Sequence, residues 1–137
     1  MKELPIGKAE VLEQGKDVVI LAVGSTVRPA LEAASQLHNH GMEATVVNAR
    51  FIKPLDGELI CSLAAESKRM ITVEENALQG GFGSAVLELL EERGLVGVQV
   101  KRLGIPDIFV EHGTQEALRH KYCLDAEGIY RAVEAFF

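Results

Sequence analysis

With 137 residues, 47% of them apolar and 25% charged, the chain has the composition of a folded globular domain and not of a disordered segment. Fourteen Lys and Arg against twenty Asp and Glu give a net charge of −6 with no basic block that could neutralise a row of phosphates, which excludes a nucleic-acid partner. The longest apolar run, Val18 to Val23, is far short of a membrane span, and the N-terminus lacks the basic-then-apolar layout of a signal peptide, so a cytoplasmic location with no membrane partner is expected.

Ile6 to Glu13 reads as a short edge strand, and the turn Gln14-Gly15-Lys16-Asp17 would set it antiparallel to the strand that follows. Asp17 to Val23 is β-branched and apolar on both faces, the pattern of a strand covered by helices on two sides, and is expected at the centre of the sheet. Gly24-Ser25-Thr26 turns into a helix, with Thr26 as its cap, Pro29 in the first turn, Gly41 at the far end, and Val27, Leu31, Ala34 and Leu37 on one face. Glu43 to Asn48 is the next strand. Asp56 caps a second helix with Leu59, Ile60, Leu63 and Ala64 inward, and Met70 to Val73 is a third buried strand.

The stretch Thr72 to Val86 then reads as strand end, glycine-rich turn and helix start. Its helix has Phe82, Val86, Leu89 and Leu90 on the core side and ends at Gly94. Val98 to Leu103 alternates like a strand nearer an edge, broken at Gly104-Ile105-Pro106-Asp107. Thr114 caps a short helix ending near Tyr122, and Asp125 caps a last one carrying Ile129, Val133 and Phe136. Strands alternating with helices predict a single α/β domain, 1–137, built as a three-layer α/β/α sandwich.

In such a sheet ligands collect at the carboxyl ends of the parallel strands. For the glycine turn two readings stand. The N–H groups of Gly81, Gly83 and Ser84 at a helix N-terminus could hold an anion, or the glycines could let backbone pass close to another surface. Glu74 and Glu75 would repel a bound anion, and Val86 spoils a full G-x-G-x-x-G, which weighs toward close approach. Glu74 and Glu75 leave the strand on opposite faces, so they do not converge as an acid and base pair. His38 and His40 stand about 200 degrees apart on a helix end, which spoils a shared metal site. His112 is read as a structural hydrogen-bonding residue. Arg50 and Lys53 could reach a phosphate or a carboxylate on a neighbouring domain. Cys61 and Cys123, without a C-x-x-C pair, are expected as buried thiols. No self-contained catalytic set emerges, and no residue is assigned to catalysis, to a cofactor or to a metal.

Several stretches taken together resemble a known family: Val46 to Asp56 (Val-Val-Asn-Ala-Arg-Phe-Ile-Lys-Pro-Leu-Asp), Val73-Glu74-Glu75-Asn76 with Gly80 to Ser84, Leu103 to Asp107, Gly113 to Glu116, and Leu124 to Ile129. In this order they look like the C-terminal domain of 1-deoxy-D-xylulose-5-phosphate synthases, members of the transketolase superfamily. The first two are shared loosely with transketolases and with 2-oxo acid dehydrogenase beta subunits; the stretches around Gly104 to Asp107 and Leu124 to Ile129 favour the synthases. The resemblance implies a five-stranded mixed sheet with an antiparallel first strand. It also implies a homodimeric parent enzyme that uses thiamine diphosphate and magnesium to join pyruvate to D-glyceraldehyde 3-phosphate, with loss of carbon dioxide. The 137 residues contain no Gly-Asp-Gly motif of the cofactor-binding domains, so a structural and assembly role is expected, with the isolated chain inactive. The surface expected to face the neighbouring domains or the dimer partner comprises Glu74, Glu75, Asn76, Gly80, Gly81, Phe82, Gly83 and Ser84, together with Arg50 and His112. The alternatives are a stand-alone module that binds an anion or a partner protein, or the C-terminal domain of a 2-oxo acid dehydrogenase beta subunit.

Overall fold

The computed structural model describes residues 7–50, 55–77, 81–105, 117 and 120–137. It contains strands β1 (Glu10–Glu13), β2 (Val18–Ala22), β3 (Ala44–Asn48), β4 (Arg69–Ala77) and β5 (Gln99–Ile105). The helices are α1 (Val27–Asn39), α2 (Gly57–Ser67), α3 (Phe82–Glu92) and α4 (Ala126–Glu134), and Gly24–Thr26 forms a 3-10 turn ahead of α1. The strands make one sheet in the order β1-β3-β2-β4-β5, with β1 antiparallel and the rest parallel.

β2 is central, and no residue in it is more than 1% exposed. Its apolar character on both faces follows from the two cores that it separates. Val18, Ile20 and Ala22 point into a cluster with α1 and α4, built around Ala30, Ala33, Leu37, Ile129 and Val133. Val19 and Leu21 point into a second cluster with α2 and α3, built around Ile60, Ala64, Phe82, Val86 and Leu90. The predicted three-layer arrangement is therefore present. Leu59, Leu63 and Leu89 only border the second core, because the sheet claims the middle of each helical stripe.

Several local expectations change. β1 pairs with β3 and not with β2, so the Gln14 to Asp17 turn does not close a hairpin. Instead Thr45 Oγ1 accepts from the Gly15 N–H at 2.9 Å and donates to the Gly15 carbonyl at 2.6 Å, while Asp17 Oδ2 accepts from the Glu43 N–H at 2.7 Å. These bonds tie the turn to the start of β3. β4 continues past Val73 to Ala77, with a register shift against β5, and β5 runs through Gly104 to Ile105 instead of breaking there. Asp56 caps α2 as expected, accepting from Leu59 N–H at 3.3 Å; its other oxygen accepts from Ala9 N–H at 2.9 Å and anchors the chain ahead of β1. The cap expected at Thr114 lies outside the described residues, and Ala117, His120 and Lys121 are helical.

Candidate functional site

The carboxyl edge of the sheet is where the topology would place a ligand. The helices after β2 and β4, α1 and α3, lie on opposite faces, which leaves a crevice between these two neighbouring strands. From the β4 side, period-two alternation puts Met70, Thr72 and Glu74 on the face covered by α3. Glu74 is fully buried there. Its Oε1 accepts from Phe82 N–H at 2.8 Å and its Oε2 from Gly83 N–H at 2.7 Å, so one carboxylate satisfies two of the first-turn donors of α3. The positive end of the helix dipole lies against the same negative charge.

Of the three donors that the anion reading named, the Gly83 N–H is bonded within the chain. The helix N-terminus does hold an anion, but the anion is the chain's own Glu74. The expectation that Glu74 disfavours a bound anion at this turn agrees with the geometry, since its own carboxylate occupies the position.

Gly83 meets the close-approach reading as well. A Cβ there would lie 2.7 Å from Thr72 Oγ1 and 3.0 Å from Arg102 Cδ, so only a glycine lets α3 sit this deep over β4. Arg102 Nη1 donates to Ser84 Oγ at 3.1 Å and joins β5 to the same turn. Thr72 Oγ1 is buried with no hydrogen-bond partner among the described residues.

From the β2 side, Thr26 is fully buried, but it does not cap α1 with its side chain. Its hydroxyl lies 2.8 Å from the Val23 carbonyl and 3.0 Å from the Val73 carbonyl, and it accepts from the Val23 N–H at 3.0 Å. The end of β2 is thereby stitched to β4 across the crevice. Groups that could have met a ligand, the Thr26 hydroxyl and the Phe82 and Gly83 N–H groups, are bonded internally.

Of the residues expected to face neighbouring domains, Glu74, Phe82 and Gly83 are buried inside this one and offer no side-chain surface. Gly81, the N-cap of α3, is partly exposed, as are Glu75 and Ser84, and Arg50 is exposed. Arg50 adopts φ +61 just after β3, with its N–H donating to Asn48 Oδ1 at 3.1 Å. That left-handed conformation is uncommon for a residue with a side chain. Asn76 lies within β4, while Gly80, Lys53 and His112 fall outside the described residues.

The remaining candidates are dispersed. His38 Nδ1 lies 2.7 Å from Glu43 Oε1 and His40 Nδ1 2.8 Å from the Gln36 carbonyl, both exposed and each with its own partner. Neither cysteine is buried as expected: Cys61 is half-buried on the flank of α2, and Cys123 is exposed in a left-handed turn with φ +62. Among the described residues no group of three or more His, Cys, Asp or Glu is placed to hold a metal ion, and no helix is long and apolar enough to cross a membrane.

This architecture defines a class: a three-layer α/β domain with an antiparallel edge strand and a carboxyl edge closed from within. The chain belongs to the transketolase C-terminal domain family, whose sequence model matches residues 7–129. It is 60% identical over 136 residues to 1-deoxy-D-xylulose-5-phosphate synthase 1 of Geobacter sulfurreducens, covering 99% of this chain and 21% of that protein. With the synthase of Desulforudis audaxviator it shares 51% identity over 132 residues, 96% of this chain and again 21% of the other. The chain thus spans about a fifth of the length of these relatives and corresponds to their C-terminal domain. Among solved structures, a split gene transketolase described as an inactive beta4 tetramer superposes with a TM-score of 0.90 at 39% identity, over 98% of this chain and 43% of that one. A transketolase from Pichia stipitis, with a TM-score of 0.64 at 17% identity, shares the fold.

Proposed function

We propose that this chain serves as the non-catalytic assembly domain of a 1-deoxy-D-xylulose-5-phosphate synthase. In that reading the whole enzyme is a cytoplasmic homodimer that condenses pyruvate with D-glyceraldehyde 3-phosphate, releasing carbon dioxide, and its product feeds isoprenoid, thiamine and pyridoxal synthesis. Thiamine diphosphate, with magnesium, supplies the carbanion chemistry when bound.

The residues described here do not fit that cofactor. A diphosphate needs donors, and two of those at the N-terminus of α3, the Phe82 and Gly83 N–H groups, are already bonded by Glu74; a magnesium ion needs oxygen ligands, and no acidic cluster converges among the described residues. The cofactor therefore belongs to other domains, and this chain contributes surface. The single observation that carries the reading is Glu74 filling the anion position from inside. The partly exposed Gly81, Ser84 and Glu75, with Arg50, form the rim offered to the neighbouring domain or the dimer partner.

The test is product formation from pyruvate and glyceraldehyde 3-phosphate with thiamine diphosphate and magnesium. It would use the chain alone and a chimera in which the chain replaces the matching fifth of the Geobacter sulfurreducens synthase. Activity of the chimera together with silence of the chain alone is expected. An active isolated chain, or a chimera that folds and dimerises but is dead, overturns the reading.

A second arrangement, in which the cofactor domains reside on a separate polypeptide, is favoured by one observation: the similarity to the split gene transketolase. Restoration of activity on mixing separately expressed parts would distinguish it.

A further inference from the structure

A cavity of about 430 Å³ opens at the amino edge of the sheet, between α2 and the turn that joins β1 to β2. Val11 and Val19 from the sheet and Leu59 and Leu63 from α2 give it an apolar floor, and Lys16 and Glu66 stand in the same lining. Its volume lies within the range of small-molecule clefts, which combine mostly apolar walls with a few polar groups that fix orientation.

Leu59, Leu63 and Glu66 follow one another at i, i+4 and i+7, a single stripe of α2. Because Leu59 and Leu63 only border the second core, part of their apolar surface is left to the cavity, with the Glu66 carboxylate one turn further on. The facing wall is fixed by the hydrogen bonds of Thr45 Oγ1 to the N–H and carbonyl of Gly15. A Cβ on Gly15 would lie 2.5 Å from the Glu43 carbonyl carbon, so glycine lets the turn rest on the start of β3 and sets where Lys16 emerges. Lys16 and Glu66 are opposite in sign and line one cavity, yet they form no ion pair with each other. Neither side chain has a hydrogen-bond or ion-pair partner among the described residues. A cation and an anion held apart over an apolar floor match a molecule that carries both charges and an apolar group. A neutral ligand would leave both charges unmatched, and a singly charged one would leave one.

We propose that this cavity is a binding site for a free aliphatic amino acid. Such a molecule carries a carboxylate and an ammonium at neutral pH. The carboxylate meets Lys16, the ammonium meets Glu66, and the side chain covers Val11, Leu59 and Leu63. The site uses none of the residues on the Glu74 rim and is read by binding to the chain alone, so it stands or falls separately from the assembly role.

The experiment is a titration of the nitrogen-15-labelled 137-residue chain with L-leucine, followed by amide chemical shifts. Saturable shifts at Gly15, Lys16, Leu63 and Glu66 are expected, with a dissociation constant on the order of 1 mM. Three analogues each remove one feature of the ligand: N-acetyl-leucine the ammonium, leucinamide the carboxylate and glycine the apolar group. Each should bind several-fold more weakly than leucine. Lys16 and Glu66 are both exposed, so Lys16→Gln and Glu66→Gln leave the fold intact, and each is expected to weaken leucine several-fold, as for a solvent-exposed charge contact. Lys16→Gln should no longer distinguish leucine from leucinamide, and Glu66→Gln should no longer distinguish it from N-acetyl-leucine. No saturable shift at these four residues, a response to glycine equal to that of leucine, or unchanged affinity in both charge variants overturns the proposal.

Discussion

Glu74 decides what the glycine turn is for. Two buried N–H groups depend on its carboxylate, and a buried donor left without a partner costs about 1–3 kcal/mol. Glu74→Ala should therefore destabilise the domain by about 3 kcal/mol or more, read as a lower urea midpoint. Glu74→Gln replaces one acceptor oxygen with a donor facing a donor, and should cost about 2 kcal/mol. Loss of less than about 1 kcal/mol in the alanine variant would mean that the clamp is not structural. Thr72 offers the opposite case. Its hydroxyl is buried against Gly83 without a partner among the described residues, so Thr72→Val, which keeps the shape and removes the orphan, is expected to raise stability by up to about 1 kcal/mol in the same titration. The sequence carried part of this. Alternation from Met70 through Thr72 reaches Glu74 and places it under the following helix, but a carboxylate at a strand end reads as solvent-facing when burial is judged by residue type alone.

At the scale of elements, the parallel strands were legible because burial on both faces leaves an uninterrupted apolar run, as in Val18 to Ala22. The partner of β1 was not. A four-residue edge strand with one fully exposed face fits either neighbour, and its pairing with β3 is set by the Thr45 and Asp17 hydrogen bonds, which sequence spacing does not reveal. The run of β4 through Glu74, Glu75 and Asn76 was hidden for a related reason: those residue types are depleted in strands, and tertiary contacts override the preference.

Asp125 shows a cap that was read correctly and that makes a pH prediction. Its Oδ1 accepts from Gly128 N–H at 2.9 Å, and His120 Nδ1 lies 2.9 Å from Oδ2. Burial pushes this carboxyl up, but the Gly128 hydrogen bond and His120 outweigh it and hold the group below its ordinary value. A carboxyl depressed in the folded state contributes stability that is fully present above its unfolded value, and that stability is lost as pH falls through the folded one. Asp125→Ala should cost about 1 kcal/mol near neutrality, with the difference from the unaltered chain shrinking below about pH 4. A difference that is flat with pH would remove the carboxylate from the account.

At the scale of the whole molecule, the question is whether the glycine turn serves the domain alone or its assembly too. The two glycines separate these roles. Gly83 is buried, and any side chain there meets Thr72 Oγ1 at 2.7 Å, so Gly83→Val acts first on folding. Gly81 is partly exposed at φ −88 and ψ −163, extended backbone that any residue adopts, so Gly81→Val leaves the backbone unstrained and changes the rim. Made in the chimeric synthase, the two should part company. Gly83→Val is expected to lower the urea midpoint of the isolated chain and the activity of the chimera together. Gly81→Val should leave the isolated chain within about 0.5 kcal/mol of its unaltered stability, as for a surface change, while shifting the chimera toward monomer in sedimentation and reducing its activity. If Gly81→Val leaves both dimerisation and activity intact, the rim is not the assembly surface, and the role of the turn ends with the Glu74 clamp.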